Sequence, residues 1–224
     1  ILNSKNIITN KTLINIMGNG PSLKNVNLKK LNNNILVSFN RAYIIYEKEN
    51  IYPDYYICID KAVLLNCLED IKKLLNSKIK YFILLECDET KHLKSNYKVT
   101  LISKNSKNQA FFGDVATFSI NYLINKGFKN FNVYGCDCSY IEDYKILNVD
   151  VEYNRNDPAR RIVLKPKKGS KDPNHFIDNY FDDTTEYSIP RTNNHLNCWK
   201  NIFKIKNINL TFMTKSKAEI YQKK

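Results

Sequence analysis

The stretch LINIMGNGPSL, residues 13–23, decides the fold of this chain. Its apolar half, residues 13–17, predicts a strand buried on both faces, as in a parallel sheet. The glycines that follow let a ligand approach the main chain closely, and the Pro-Ser pair suits the start of a helical turn whose N–H groups can meet an anion. The stretch therefore predicts a βα turn that holds the phosphate of a nucleotide through Gly18, Asn19, Gly20, Pro21 and Ser22.

The position of this turn favours a ligand, because open α/β sheets bind ligands at the carboxyl ends of their strands. The turn is not the G-x-G-x-x-G fingerprint, and it is not a Walker A loop, since no Gly-Lys-Ser/Thr follows it. A tight turn without any ligand is the alternative interpretation.

Apolar runs rich in Ile, Val, Tyr and Phe recur along the chain and predict further buried strands. They cover residues 35–40, 55–60, 81–86, 99–103, 131–137 and 208–213. Residues 62–76, 115–126 and 196–204 carry apolar side chains at helical spacing, and Gly127 is expected to end the second of these helices. The alternation predicts an α/β protein with a Rossmann-like, doubly wound, mostly parallel sheet of about seven strands.

Residues 140–190 interrupt this pattern, since they hold four of the six prolines and few long apolar runs. The segment is too long for an ordinary connection, which indicates a lid or an acceptor-binding excursion. With 224 residues, the chain is predicted to form a single nucleotide-sugar-binding domain over residues 1–224, with this excursion at about 140–190.

Composition narrows the class of partner. The formal net charge of +13 favours anionic partners, but no nucleic-acid recognition module is present, so nucleic acid is not expected. Cys136 and Cys138 form C-x-C rather than the pairs of a zinc site, and the six cysteines are expected to be reduced thiols. The sequence has no apolar run of membrane-spanning length, so we expect a cytoplasmic protein. We also expect the protein to use no metal and no cofactor.

Polar residues end three of the predicted strands and are expected to converge beside the glycine turn: Asn40, Asp60 and Asp137. Capping of the next helix is the alternative for each of them. Gly113 and Asp114 precede the helix from residue 115, where they form either a simple helix cap or a second main-chain cradle for the nucleotide.

The excursion supplies the candidate reactive groups. Tyr140 and Tyr144 follow the sixth strand, and their hydroxyls can hydrogen-bond a departing phosphate without a metal; packing under a loop is the alternative. His175 is the candidate general base, His195 is its rival, and His92 is expected at the surface. The basic cluster Arg155, Arg160, Arg161 and Lys165 is either a solvated face or a site for an acidic donor or acceptor.

These motifs resemble a known group of proteins. The GNGPSL turn, the Asn-ended second strand, the Gly-x-Asp-ended sixth strand followed by Tyr, and the later His-aromatic segment resemble the bacterial sialyltransferases of the Campylobacter type. They are also similar to the related flagellin-modifying Maf proteins and the MptE-like pterin pyrophosphokinases. The resemblance runs from about residue 13 to residue 213.

The sialyltransferase resemblance implies a CMP-activated nonulosonic sugar, inversion at the anomeric carbon and no metal. It implies that Asn19 and Ser22 contact the nucleotide, that Asn40 and Asp60 lie near the donor, and that Tyr140 and Tyr144 hydrogen-bond the leaving phosphate. The catalytic histidine of that family follows another histidine. His175 aligns with the first of the two, so the catalytic position falls near Asn179 or Tyr180.

The leading hypothesis is a metal-independent, inverting glycosyltransferase that uses a CMP-sialic-acid-like donor on a bacterial surface glycan precursor. The alternatives are a magnesium-dependent pyrophosphokinase and a non-catalytic nucleotide- or glycan-binding domain. Further expectations are a homo-oligomer and peripheral contact with an anionic membrane. The third predicted strand offers Asp60 alone, followed by Lys61, rather than the paired acidic residues that magnesium prefers.

Overall fold

The computed structural model describes residues 12–104, 113–153, 162–167, 172–177, 180–181, 187 and 191–222. Its centre is a seven-stranded sheet in which every pair of neighbouring strands is parallel. The strands of this sheet are β1 (Leu13–Met17), β2 (Ile35–Phe39), β3 (Tyr55–Cys58), β4 (Tyr81–Leu85), β5 (Val99–Ile102), β6 (Asn130–Tyr134) and β9 (Asn209–Phe212). All seven predicted strands are confirmed; the bounds of β1 are identical to those predicted, and no end of the other strands differs by more than three residues.

The strand order, β5-β4-β3-β2-β1-β6-β9, is that of a doubly wound sheet. The chain runs outward from β1 to β5, returns to β6 on the other side of β1, and ends at β9. Ile16 of β1 pairs with Val37 of β2 on one side and with Val133 of β6 on the other. The strand order reverses between β1 and β6, and a reversal of this kind opens a crevice at the carboxyl ends of the strands.

Both faces of the sheet are covered, which is why its strands read as unbroken apolar runs. Successive residues alternate between two cores: Leu36 belongs to one and Val37 to the other. The first core includes Leu23, Tyr46 and Tyr180, and the second includes residues of the two longest helices. The predicted α/β, Rossmann-like fold class is therefore confirmed.

The helices are α1 (Tyr46–Glu49), α2 (Lys61–Asn66), α3 (Leu68–Leu74), α4 (Val115–Ile124), α5 (Tyr144–Leu147) and α6 (Thr192–Ile202). The single helix predicted over residues 62–76 is divided at Cys67 into α2 and α3. Gly127 adopts φ +97° just after α4, as its predicted role as a helix end requires. The turn after β1 is a short 3-10 helix, Pro21–Asn25, rather than an α-helix.

The excursion contains regular structure that the sequence did not predict. After α5, an antiparallel hairpin pairs β7 (Val149–Tyr153) with β8 (Ile162–Pro166), and Tyr187 bridges to Leu164. Leu147, Val149 and Leu164 form a small core of their own. The single-domain division and the lid role remain predictions.

No helix in the described part of the chain is long and apolar enough to cross a membrane. All six cysteines are free thiols.

Candidate functional site

The glycine loop, residues 18–22, lies at the carboxyl end of β1 and packs against the chain leaving β6. Gly18 N–H donates to Tyr134 O at 2.8 Å, and Gly20 N–H donates to Gly135 O at 2.7 Å. A Cβ at Gly18 would lie 2.2 Å from Gly135 O, well inside van der Waals contact. Both glycines are thus needed for the close approach of two protein loops, whether or not a ligand binds.

Asp137, after β6, closes the same side of the loop. Ser22 N–H donates to Asp137 Oδ2 at 2.9 Å, Ser22 Oγ donates to Asp137 Oδ1, and Leu23 N–H donates to Gly20 O. The expectation that the amides of this turn are free for an anion is therefore wrong for Gly18, Gly20 and Ser22. Pro21 has no N–H to offer.

Asn19 turns the other way, toward β2. Its Nδ2 donates to Phe39 O and to the Tyr180 hydroxyl, each at 3.1 Å. Asn40, just after β2, has φ +55°, and its carbonyl oxygen accepts from the Tyr56 hydroxyl at 2.7 Å. The Oδ1 atoms of Asn19 and Asn40 are buried without a hydrogen-bond partner among the described residues. Such atoms are costly and suit a ligand that brings N–H or O–H donors.

His175 lies beside Asn19. Phe176 N–H donates to Asn19 O at 3.0 Å, and the His175 ring stacks on Tyr180 with centroids 3.7 Å apart and planes 4° apart. The Nδ1 atom of His175 is 2.5 Å from Asp172 Oδ2. Because the carboxylate holds Nδ1, Nε2 is the nitrogen left for a substrate, as in a catalytic base oriented by a third group.

Tyr180 was predicted as a possible site residue only through the family resemblance. It is buried at the contact of Asn19 and His175, and burial raises the pKa of its phenol far above the ordinary value. The spacing of the aromatic residues in DPNHFIDNYF, residues 172–181, is the signal that could have identified it. Asn179, the neighbouring alternative, lies outside the described residues.

A second histidine–carboxylate pair lies at the start of α4. His195 Nδ1 is 2.5 Å from Asp114 Oδ2, while Asp114 Oδ1 accepts from Thr117 N–H at 2.7 Å and so caps the helix. The Tyr140 ring packs on His195 with centroids 4.9 Å apart. Burial and the Asp114 carboxylate raise the pKa of Tyr140 well above the ordinary value, so its hydroxyl stays a donor. Asp114 therefore serves both as a helix cap and as the partner of a histidine.

Two further predicted site residues have no described contact with the glycine loop. Asp60 is exposed, and its Oδ1 accepts from Ala62 N–H at 2.9 Å and from Val63 N–H at 3.2 Å, so it caps α2. Capping, the alternative interpretation of Asp60, is therefore confirmed, and its contact with a nucleotide stays a prediction. Tyr144 begins α5 and is 36% exposed, unlike Tyr140.

The remaining predicted site residues are Gly113 and the members of the basic cluster. Gly113 directly precedes Asp114, as expected for a helix start. Arg155, Arg160 and Arg161 of the basic cluster lie outside the described residues, and Lys165 lies in β8.

Three carboxylates at this edge each contact another protein group. Within the described ranges, no group of three or more His, Cys, Asp or Glu side chains could hold a metal ion. Asp114 is bound to His195, Asp137 to Ser22 and Asp172 to His175. The residues described here therefore do not fit a magnesium ion held by clustered carboxylates.

An open groove of about 690 Å³ adjoins the His175 segment. Phe176 and Ile177 line one part of it, and apolar residues of the turns after β1 and β2 line the rest. Lys24, Lys29 and Lys48 lie around it with one acidic residue, Glu49. The groove is thus lined by both apolar and mainly basic side chains.

The comparisons with known proteins give one result. A family model described as 6-hydroxymethylpterin diphosphokinase MptE-like matches residues 1–143, more than half of the chain. The matched part includes the glycine loop, Asn40, Asp114 and Tyr140, and it ends before both paired histidines. Comparison with curated proteins gave no match, and comparison with solved structures gave none. The resemblance to MptE-like proteins is therefore confirmed, and the chain belongs to the MptE-like family.

Proposed function

We propose that this protein is a transferase that binds a nucleotide-activated sugar, CMP-sialic-acid-like, at the carboxyl edge of the sheet and transfers the sugar to a hydroxyl acceptor. The observation that carries the proposal is the His175–Asp172 pair beside Asn19, because it provides an oriented base next to unpartnered polar atoms. The family supports a transferase in general terms.

The nucleoside is proposed to bind on the β2 side of the glycine loop. The Oδ1 atoms of Asn19 and Asn40 are buried acceptors without partners among the described residues. Ribose hydroxyls and the exocyclic amino group of cytosine are donors of the right kind.

His175 is proposed to act as the general base. Its Nε2 takes the proton of the acceptor hydroxyl while the acceptor oxygen forms a bond to the anomeric carbon. The bond from that carbon to the phosphate oxygen breaks, and its electron pair stays on the phosphate. Attack from the face opposite the phosphate inverts the anomeric centre. Asp172 orients the ring and stabilises the imidazolium that forms.

Tyr140 is proposed to donate a hydrogen bond to the leaving phosphate. Its raised pKa keeps the phenol protonated, and a donor aimed at developing charge contributes a few kcal/mol, about 3 in a well-studied case. In this proposal Tyr144 takes the same role when the excursion folds over the donor, and Gly113 lies at the phosphate end of the site. The groove beside Phe176 then receives an anionic, partly apolar acceptor.

A second function is favoured by the family description, namely transfer of a diphosphate from ATP to a hydroxymethylpterin. It uses the same edge of the sheet, but it needs magnesium held by carboxylates. Asp114, Asp137 and Asp172 are each engaged by a protein group, which supports the metal-independent reaction instead. A binding domain without catalysis is the third alternative. A cytoplasmic location with peripheral contact to anionic membrane belongs to the same proposal.

Two substrate pairs separate these functions. The full chain is incubated with CMP-N-acetylneuraminic acid, and separately with ATP and 6-hydroxymethylpterin, each with EDTA or with magnesium. We expect CMP release that persists in EDTA, and a rise in melting temperature with CMP. Magnesium-dependent AMP release from ATP and the pterin would assign the diphosphokinase instead. Binding of CMP without release of CMP from the donor would indicate a binding domain.

His175→Gln and His92→Gln form a matched pair of variants for the base. We expect His175→Gln to lower donor turnover by about 10²-fold or more with CMP binding retained, and His92→Gln, on the exposed surface, to leave turnover unchanged. Equal turnover in the two variants contradicts the assignment of His175.

A further inference from the structure

We propose that His195, held by Asp114, is a second catalytic residue that donates a proton to the leaving phosphate. This inference rests on the proposed function and deepens it, because it assigns separate acid and base groups to the two sides of one site. It starts from a contact that joins residues 81 positions apart in the sequence.

The distance from the histidine Nδ1 to the carboxylate is the same in the His195–Asp114 pair as in the His175–Asp172 pair. Asp114 Oδ2 lies 2.5 Å from His195 Nδ1, and the other oxygen of the same carboxylate is fixed by Thr117 N–H. The side chains are only 13% and 7% exposed. A carboxylate so placed fixes the orientation of the ring and leaves Nε2 directed away from itself.

Tyr140 links the two pairs into one site. Its ring packs on His195. The next residue, Ile141, exchanges two hydrogen bonds with the side chain of Asn174, the neighbour of His175. The two histidine pairs are therefore held against the same segment of the chain.

The surroundings favour the acid role for His195 and the base role for His175. The His195 ring, on α6, packs on Tyr140, the proposed hydrogen-bond donor to the leaving phosphate. His175 precedes Phe176, which lines the groove proposed for the acceptor. An acceptor hydroxyl thus meets His175, and the donor phosphate meets His195 and Tyr140.

The step neither gains nor loses protons overall. As the bond between the anomeric carbon and the phosphate oxygen breaks, that oxygen receives the electron pair and the Nε2 proton of His195. His175 meanwhile takes the proton of the acceptor hydroxyl. Exchange with water returns both rings to their starting forms, so the net change is one proton moved from acceptor to phosphate.

NMR of the imidazole nitrogens tests the inference on the unmodified chain without any turnover. The chain has three histidines, and His92 is exposed and serves as the internal control. On titration with CMP, we expect the Nε2 signals of His175 and His195 to shift together and the signals of His92 to stay in place. A shift at His175 without one at His195 overturns this inference and leaves the proposed function standing. No shift at either histidine overturns both.

The pH profile of CMP release from CMP-N-acetylneuraminic acid in the presence of acceptor separates acid from base. Asp114 and Tyr140 are ionisable groups in contact with the His195 ring, and the thiols of Cys136, Cys138 and Cys198 lie near the same Asp114 carboxylate. We expect His195→Gln to lower turnover by about 10²-fold and to remove the alkaline limb of the profile. His175→Gln should remove the acidic limb. A His195→Gln enzyme that keeps both limbs and most of its turnover contradicts the acid role, and the NMR titration decides if this variant fails to fold.

Discussion

The two sides of the glycine loop differ in which of their polar groups have hydrogen-bond partners. On the β6 side, the N–H groups of Gly18, Gly20 and Ser22 all donate to protein acceptors. The acceptor of the Ser22 N–H is the carboxylate of Asp137. On the β2 side, Asn19 and Asn40 each keep a buried side-chain oxygen without a partner among the described residues. The main chain of the loop therefore stabilises the fold, and in the proposed function the side chains of Asn19 and Asn40 provide polar groups for the ligand.

This difference moves the binding surface away from the place that the glycine pattern suggests. In a dinucleotide-binding fold, glycines allow the main chain to approach a pyrophosphate. Here they allow β1 and β6 to approach each other at their carboxyl ends. In the proposed function, the ligand therefore contacts side chains that follow β1 and β2 and side chains of the excursion.

Gly18→Ala should give the largest effect on stability. The new Cβ meets backbone atoms of Gly135, which cannot move aside as a flexible side chain can. We expect a loss of about 3 kcal/mol in the free energy of unfolding, measured by urea denaturation. Gly113→Ala is the matched control, because its Cβ meets only Cys198 Sγ at 3.0 Å and should cost less than about 1 kcal/mol. Similar losses in both variants would contradict the tight packing of β1 on β6.

Asp137→Ala should cost about 2 kcal/mol, because Ser22 loses an acceptor for its N–H and another for its hydroxyl. Ser22→Ala removes only the hydroxyl bond and should cost about 1 kcal/mol. If Asp137→Ala is as stable as the unmodified chain, the carboxylate is not a structural part of the loop and becomes available to a ligand or metal. Chemical denaturation of the two variants measures the difference.

The fold was largely predictable because buried parallel strands appear in the sequence as unbroken apolar runs. The site was less so, because its partners are distant in sequence. The contact of Asp114 with His195 joins α4 to α6, and that of Asn19 with Tyr180 joins β1 to the excursion. A sequence shows that Asp114 can cap a helix, but it does not show which side chain meets the second carboxylate oxygen. The hairpin was missed because the prediction relied on unbroken apolar runs, whereas β7, VDVEY, alternates apolar and acidic residues.

Asn40→Gly tests the β2 side without disturbing the backbone. Asn40 has φ +55°, which glycine adopts freely, so stability should change by less than about 1 kcal/mol. We expect the affinity for CMP to fall by about tenfold, or about 1.4 kcal/mol, by calorimetric titration. Asn50→Gly is the control, since Asn50 has φ +49° at the end of α1 and is assigned no ligand contact. Equal CMP affinity in the two variants would mean that the carboxamide of Asn40 does not contact the nucleotide.

Asp60→Ala should have the smallest effect and should act on stability alone. Its carboxylate caps α2 through Ala62 and Val63, and loss of such a cap costs about 1 kcal/mol. Asp60→Ser keeps an oxygen at the cap position and should recover most of that loss. Neither variant should change CMP affinity, because Asp60 is exposed and directed to the helix start rather than to Asn19. A weaker affinity at unchanged stability would return Asp60 to the nucleotide site and extend that site from β2 to β3.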